Sequence, residues 1–429
     1  MKNFKPLLLI IFLLLVVVAC NKEEEEQEIE TSESFDDFNK AVDIYFVNGN
    51  ILYGVRDNDS VGGANAPDLE KFLEYEIPSN DPTTATPIIF DITESTAAVK
   101  NYEAYQLALA TGNGGVVYVD VPDDITRNNA LGGNVFRYHP ITKSINGSLR
   151  SFIGSSTGTF SCITNNGGTR IWAFESPTVG GFEGATFAGT NLVVTTVSNG
   201  WVYALDETDG SLVWSYDTGD LIQSKPKVIG GKLIVARQDG TIFALNPNDG
   251  KEEWNRKVSG PILTVPSENF AQAPNINPNA PTFLVSSLDR KVYDVLLDNG
   301  DINWSIELDG SIYGSIAYHD NHAYAVTNQG TLYKLDIPGG LFIEWEVTLP
   351  GNTPTNSSPL YVPVFNRIYI NNSSGLYGID AETGTIVNKF IIGETGADQG
   401  NANYQSSPVG LELPNRSQGN FFPVFPPNI

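Results

Sequence analysis

The sequence predicts an all-β protein: an eight-bladed β-propeller of four-stranded antiparallel blades, with seven blades as the alternative, and a ring closed by pairing of N- and C-terminal strands. Three observations predict it. A Gly turn stands four residues before a Trp at Gly168 with Trp172, Gly210 with Trp214, Gly250 with Trp254 and Gly300 with Trp304, and Gly384 stands at the same distance before Asn388. A looser copy, one residue longer, ends at Trp345. The steps between these positions are 42, 40, 50, 41 and 43 residues, a blade-sized period. Finally, each copy lies among short β-rich runs divided by Gly turns, without the 3.6-residue apolar rhythm of helical repeats.

From the N-terminus, residues 1–19 read as a signal peptide. Lys2 and Lys5 precede the twelve-residue apolar run Leu7–Val18, which is shorter than the ~20 residues a membrane span needs. Val17-Val18-Ala19-Cys20 resembles a bacterial lipobox, so Cys20 is expected to become the acylated N-terminus and to hold the chain on a membrane without crossing it. Residues 20–40, with acids at Glu23, Glu24, Glu25 and Glu26, have too little apolar content to fold and read as a flexible tether. Lys22 followed by that cluster resembles the export signal of surface-displayed lipoproteins in some Gram-negative bacteria; a plain solvated spacer is the other reading.

The propeller is assigned to residues 41–412. Residues 224–255 show one repeat: a short strand starting over Ser224–Val228, a Gly230-Gly231 turn, Lys232–Arg237, an Asp239-Gly240 hairpin signal, Thr241–Leu245, a turn at Asn248–Gly250, and a fourth strand carrying Trp254. Such a sheet is apolar on both faces and must pack between neighbours, so Trp172, Trp214, Trp254, Trp304 and Trp345 are expected to fill inter-blade layers. Six copies occupy roughly residues 138–392. Residues 40–137 leave space for two blades, with strands at 44–47, 51–55, 106–109 and 116–119. Ala271–Pro281, rich in Asn and Pro, accounts for the 50-residue step as a loop insertion. Ser406-Ser407-Pro408-Val409 repeats the blade opening of Ser357-Ser358-Pro359-Leu360 with too little chain after it for a blade, so it is expected to complete the N-terminal one. Residues 413–429 form a C-terminal tail.

Composition excludes some functions. With 25 basic and 50 acidic residues the net charge is −25, which argues against nucleic acid and against direct adhesion to anionic lipid heads. Cys162 lies on a strand and reads as a buried free thiol. His319 and His322 have metal-like spacing, yet Asp320-Asn321 between them reads as a hairpin turn without a third ligand. The turns Asp206–Gly210, Asn246–Gly250 and Asp57–Asp59 lack the ligand order of a calcium loop. No Gly-x-Ser-x-Gly elbow, phosphate loop or His-Glu-x-x-His helix occurs. Trp201, Tyr313 and Tyr404 could stack on sugars, but core packing is the favoured reading. No catalytic, cofactor-binding or metal residue is therefore expected.

The pattern Ala-x-Asp-x-x-(Thr/Asp)-Gly-x-x-x-Trp, nearly complete at Ala204–Trp214 and Ala244–Trp254, resembles the repeat of the quinoprotein-type β-propellers, named for dehydrogenases that bind pyrroloquinoline quinone. The resemblance covers about two thirds of the chain. The quinone enzymes typically carry adjacent cysteines and a carboxylate-bound Ca²⁺; no Cys-Cys pair is present here, so one of those elements is absent, and no cofactor is expected, with Ca²⁺ or pyrroloquinoline quinone as the alternative. In architecture, anchor and repeat the chain is most similar to the scaffold lipoproteins of the outer-membrane β-barrel assembly machine. The resemblance implies a non-enzymatic, outer-membrane, lipid-anchored scaffold that docks an envelope protein and is exposed on the cell surface if the tether signal acts. The alternatives are a surface module capturing glycan or peptide and, second, a quinone-dependent dehydrogenase or hydrolase.

Overall fold

In the computed structural model each repeat forms one antiparallel sheet. The structure describes residues 41–49, 51–59, 69–76, 87–91, 105–110, 115–120, 126–130, 140–164, 169–269, 281–338, 340, 342–351, 354–392, 407–413 and 422–424. The calls at Cys20, Gly168, Tyr404 and the insertion at 271–280 lie outside them, as do the signal peptide and tether. Eight sheets follow in chain order around the ring, here called blades 1 to 8. Blade 4 is representative, with strands Phe182–Ala188, Leu192–Val197, Trp201–Asp206 and Leu212–Asp217 hydrogen-bonded in that order. The expected strands of the first two blades are present as Ala41–Asn48, Ile51–Asp57, Tyr105–Ala110 and Gly115–Asp120.

Burial explains why the middle strands read as apolar runs. In blade 5, Thr241–Leu245 is buried at every position, because both sheet faces meet a neighbouring blade. The outer strand Glu252–Lys257 buries Trp254 alone, and its charged neighbours blunt an otherwise open edge. The core is accordingly divided into clusters that each bridge adjacent blades: Phe152, Trp172 and Tyr203 between blades 3 and 4, for instance, and Ile234, Trp254 and Phe283 between blades 5 and 6. Cys162 belongs to the first of these, free and fully buried, and burial pushes its thiol up to about 11.

The ring closes through its termini. Val409–Leu413 pairs antiparallel with Ala41–Asn48, from Tyr45 opposite Val409 to Ala41 opposite Leu413, and so supplies the inner strand of blade 1. The tail adds something its sequence did not announce. Phe422–Val424 turns back to pair with Val409–Leu413 as a fifth strand on the axial side. Among the described residues no helix is long and apolar enough to cross a membrane.

Candidate functional site

The repeated Trp and Gly positions form docks between consecutive blades. The Trp172 indole N–H donates to Glu207 O at 3.3 Å, Trp214 to Pro247 O at 3.2 Å, Trp254 to Leu297 O at 2.9 Å and Trp345 to Ala381 O at 3.2 Å. Each ring lies flat on the Gly of the next blade's turn. A Cβ at Gly210, Gly250 or Gly300 would stand 2.5 Å from Cε3 of Trp172, Trp214 or Trp254, and one at Gly384 would stand 2.8 Å from Cδ2 of Trp345. Only glycine permits that approach in these left-handed turns, where φ is +70 to +77°. Trp304 departs from the expected packing. It covers Gly340 but is 43 % exposed, whereas Trp172, Trp214 and Trp254 are at most 9 % exposed. The Gly300–Trp304 spacing is regular; the blade that follows is not, since its turn carries the extra residue.

Asn388, at the Trp register of blade 8, meets blade 1. Its amide donates at 2.6 Å to Asp57 Oδ2, which also accepts from Arg367 Nη1 at 2.6 Å and from the Tyr369 hydroxyl. Asp57 and Asn388 are fully buried and Arg367 is 3 % exposed, so a charged, hydrogen-bonded cluster seals the closing junction. Asp57–Asp59 is a turn, as its sequence suggests, with the Asp59 N–H donating to Asp57 Oδ1 at 2.8 Å, but its first carboxylate is also a core group. Tyr369 is buried against this carboxylate, and both effects push its hydroxyl well above the usual range.

One face of the ring carries the loops that join each outer strand to the next inner strand. Serines link them around the axis: Val265 N–H donates to Ser315 Oγ at 3.1 Å, Ser315 N–H to Ser358 Oγ at 2.9 Å, and Ser358 N–H to Ser407 Oγ at 2.8 Å. Lys225 holds the same register in blade 5, its stem laid against Gly184. Lys225, Val265, Ser315 and Ser358 border a polar cavity of about 180 Å³, also lined by Glu183, Gln223, Tyr313 and Asn356. Burial there, with Lys227 adding, pushes the Lys225 amine down to about 7. On the surrounding loops Val179 is 97 % exposed and Leu221 and Tyr313 are exposed as well. Trp201 is instead half-buried, stacked on Tyr203 with ring centroids 5.8 Å apart.

The outer circumference is also apolar in places. Every outer strand of blades 3 to 8 carries a β-bulge just before its Trp or Asn register, leaving Ile171, Val213, Glu253, Asn303, Glu344 and Val387 as the extra residues. Ile171 in blade 3, Leu212 and Val213 in blade 4, Ile302 and Trp304 in blade 6, and Phe342 and Ile343 in blade 7 are exposed. Charged blade 5 separates the two groups.

The remaining candidate ligands are held locally. In the Asp206–Gly210 turn, Asp206 Oδ1 accepts the Thr208 N–H at 2.7 Å, and Asn246 Oδ1 likewise accepts the Asn248 N–H at 2.9 Å. These oxygens cap their own turns. His319 and His322 flank the predicted hairpin, with Asp320 and Asn321 both at positive φ. The two rings part: His319 stacks on Tyr361 at 3.9 Å, while His322 Nε2 lies 3.1 Å from Glu344 Oε1. Burial alone would raise the Glu344 carboxyl, but Lys334 and His322 bring it below its usual value. Asp336 completes a group whose ligand atoms all lie within 4.8 Å of one another. The carboxylates beside His322 come from other strands, so the His-x-x-His spacing does not show them.

Comparison with known proteins agrees with this architecture. The family profile described as "Outer membrane protein assembly factor BamB" matches residues 156–276 and 277–407. The chain is 26 % identical over 168 residues to the outer membrane protein assembly factor BamB of Yersinia pestis, a match covering 37 % of this chain and 41 % of that protein. It is 24 % identical over 197 residues to that of Shewanella oneidensis, covering 43 % and 47 %. These alignments thus span about half or less of the curated relatives. Among solved structures, BamB from Moraxella catarrhalis superimposes with a TM-score of 0.53 at 16 % identity, over 80 % of this chain and 96 % of that one. The computationally designed Ika8 protein gives 0.54 at 13 % identity, over 80 % and 99 %.

Proposed function

The chain belongs to the family of the outer membrane protein assembly factor BamB, and we propose that it is a non-enzymatic scaffold of the outer membrane which docks another envelope protein. In this reading an acyl group on Cys20 anchors it, and the acidic tether gives the propeller reach. The observation that carries the docking role is the exposure of Ile302, Trp304, Phe342 and Ile343 along adjacent outer strands of blades 6 and 7. Contiguous apolar side chains on a soluble face are costly unless something covers them, and exposed edge strands invite pairing. Large aromatics are the residues that anchor interfaces. The net charge of −25 favours a partner with a basic rim.

The test is co-purification from detergent-solubilised envelopes. A recurring envelope protein should accompany the wild type and be lost from a variant carrying Trp304→Ser, Phe342→Ser and Ile343→Ser with an unchanged circular dichroism spectrum. Retention of the partner by that variant would move the docking site elsewhere, and no partner for the wild type would remove the scaffold reading.

The axial cavity favours a second reading, capture of a glycan or peptide, because Lys225, Gln223, Asn356 and Tyr313 combine one amine, two amides and an exposed ring. Thermal stabilisation by such ligands, abolished in Lys225→Met, is its signature.

A further inference from the structure

We propose that His322, Asp336 and Glu344 bind a divalent transition-metal cation of the zinc type on blade 7, at the ring face opposite the axial serine loops. Three neighbouring strands of that blade supply the groups: His322 begins His322–Val326, Asp336 ends Thr331–Asp336, and Glu344 lies on Phe342–Thr348. His322 and Asp336 are direct partners across the ladder. Glu344 is the bulge residue, between Ile343 opposite Leu335 and Trp345 opposite Lys334. A bulge re-aims its extra side chain, and here that brings a carboxylate to the imidazole.

Blade 5 shows what this register does when it is only structural. There Lys232 stands where blade 7 has His322, Asn246 where it has Asp336, and Glu253 is the bulge residue. Lys232 and Glu253 form an ion pair that satisfies the bulge carboxylate with an ammonium. Blade 7 replaces the ammonium with an imidazole and the amide with a second carboxylate. The set becomes one nitrogen and two oxygens, ligands suited to zinc and its neighbours.

Geometry supports the assignment. Metal–ligand distances of about 2.0–2.1 Å put tetrahedral ligand atoms roughly 3.3–3.4 Å apart. His322 Nε2 and Glu344 Oε1 are already 3.1 Å apart, and all three ligand atoms lie within 4.8 Å of one another. Modest rotation of partly exposed side chains closes the rest. The other Glu344 oxygen, Oε2, is held at 3.0 Å by Lys334 Nζ, which is 4 % exposed. Lys334 therefore leaves Oε1 for the cation and acts as the outer-shell group that orients a ligating carboxylate.

The test uses tag-free, full-length protein in detergent, titrated with Zn²⁺ by calorimetry and with Co²⁺ by visible absorption. One equivalent of Zn²⁺ should bind, and Co²⁺ should give the absorption bands of a low-coordinate site. His322→Ala, Asp336→Asn and Glu344→Gln should each weaken binding by more than about tenfold. His319→Ala should leave it unchanged. Melting curves establish that each variant is folded, and the near-isosteric Asp336→Asn and Glu344→Gln carry the test if His322→Ala is not. No binding to the wild type, binding that survives all three ligand variants, or equal loss in His319→Ala would overturn the proposal.

Discussion

Replacing Trp254 and Trp304 in turn by Ala tests whether the Trp–Gly docks hold the ring, since the two occupy the same register with different surroundings. Trp254 is 9 % exposed, lies over Gly300, stacks on Phe283 with centroids 6.3 Å apart, and donates to Leu297 O at 2.9 Å. Truncating a buried aromatic costs about 3–5 kcal/mol, and the carbonyl left without its donor adds roughly 1 kcal/mol. Trp304 is 43 % exposed, and about six-tenths of the burial of Trp254 scales to about 2–3 kcal/mol. At about 2.1 cal/mol/K of unfolding entropy per residue over roughly 370 residues, 1 kcal/mol moves Tm by a little over 1 °C. Calorimetry should therefore show a fall of about 5–7 °C for Trp254→Ala and about 2.5–4 °C for Trp304→Ala. Equal losses, or a larger one at Trp304, would refute the inference that the buried dock, rather than the mere presence of the aromatic, provides the stability.

Gly300→Ala places a Cβ 2.5 Å from Trp254 Cε3 at a φ of +75°, and should cost about 2–4 kcal/mol in denaturant melts, less in a Trp254→Ala background. Asp57→Ala leaves Arg367 buried without its main counter-charge and should lower stability by about 3–5 kcal/mol; Asp57→Ala with Arg367→Met should recover part of this. The folded-state pKa of Lys225 is depressed to about 7 from an ordinary 10.5, so the unfolded chain holds more protons between those values and stability should rise with pH across that window. Denaturation midpoints of wild type against Lys225→Met at pH 6, 8 and 10 check this, and a flat difference would contradict it. Cys20→Ser should shift the protein from the membrane to the soluble fraction on cell fractionation and remove acyl labelling.

Much of the fold is legible because its determinants are local. Gly210, Gly250 and Gly300 mark turns that only glycine fills, and the Trp four residues later falls on the outer strand of the same blade. The terminal pairing could be inferred from Ser407-Pro408-Val409 because the same short motif, Ser358-Pro359-Leu360, opens blade 8. What depends on distant partners was not legible. Asp57 and Asn388 stand 331 residues apart in the chain, and nothing near either signals the other. Exposure of Trp304 follows from the longer turn in the next blade rather than from its own repeat. His322 finds Glu344 through a bulge, and a bulge changes the facing of a side chain without leaving a sequence mark. Lys225 reads as one more strand-opening residue until the ring sets it beside the axial cavity.

The most direct test of the scaffold reading is site-specific photocrosslinking in living cells, with the photoreactive residue placed in turn at Trp304, Phe342 and Ile343 and, as controls, at Glu253 and Lys257 of charged blade 5. The account predicts one envelope protein crosslinked from the first three positions and not from the controls. A uniform pattern over both sets, or no discrete product from blades 6 and 7, would contradict it.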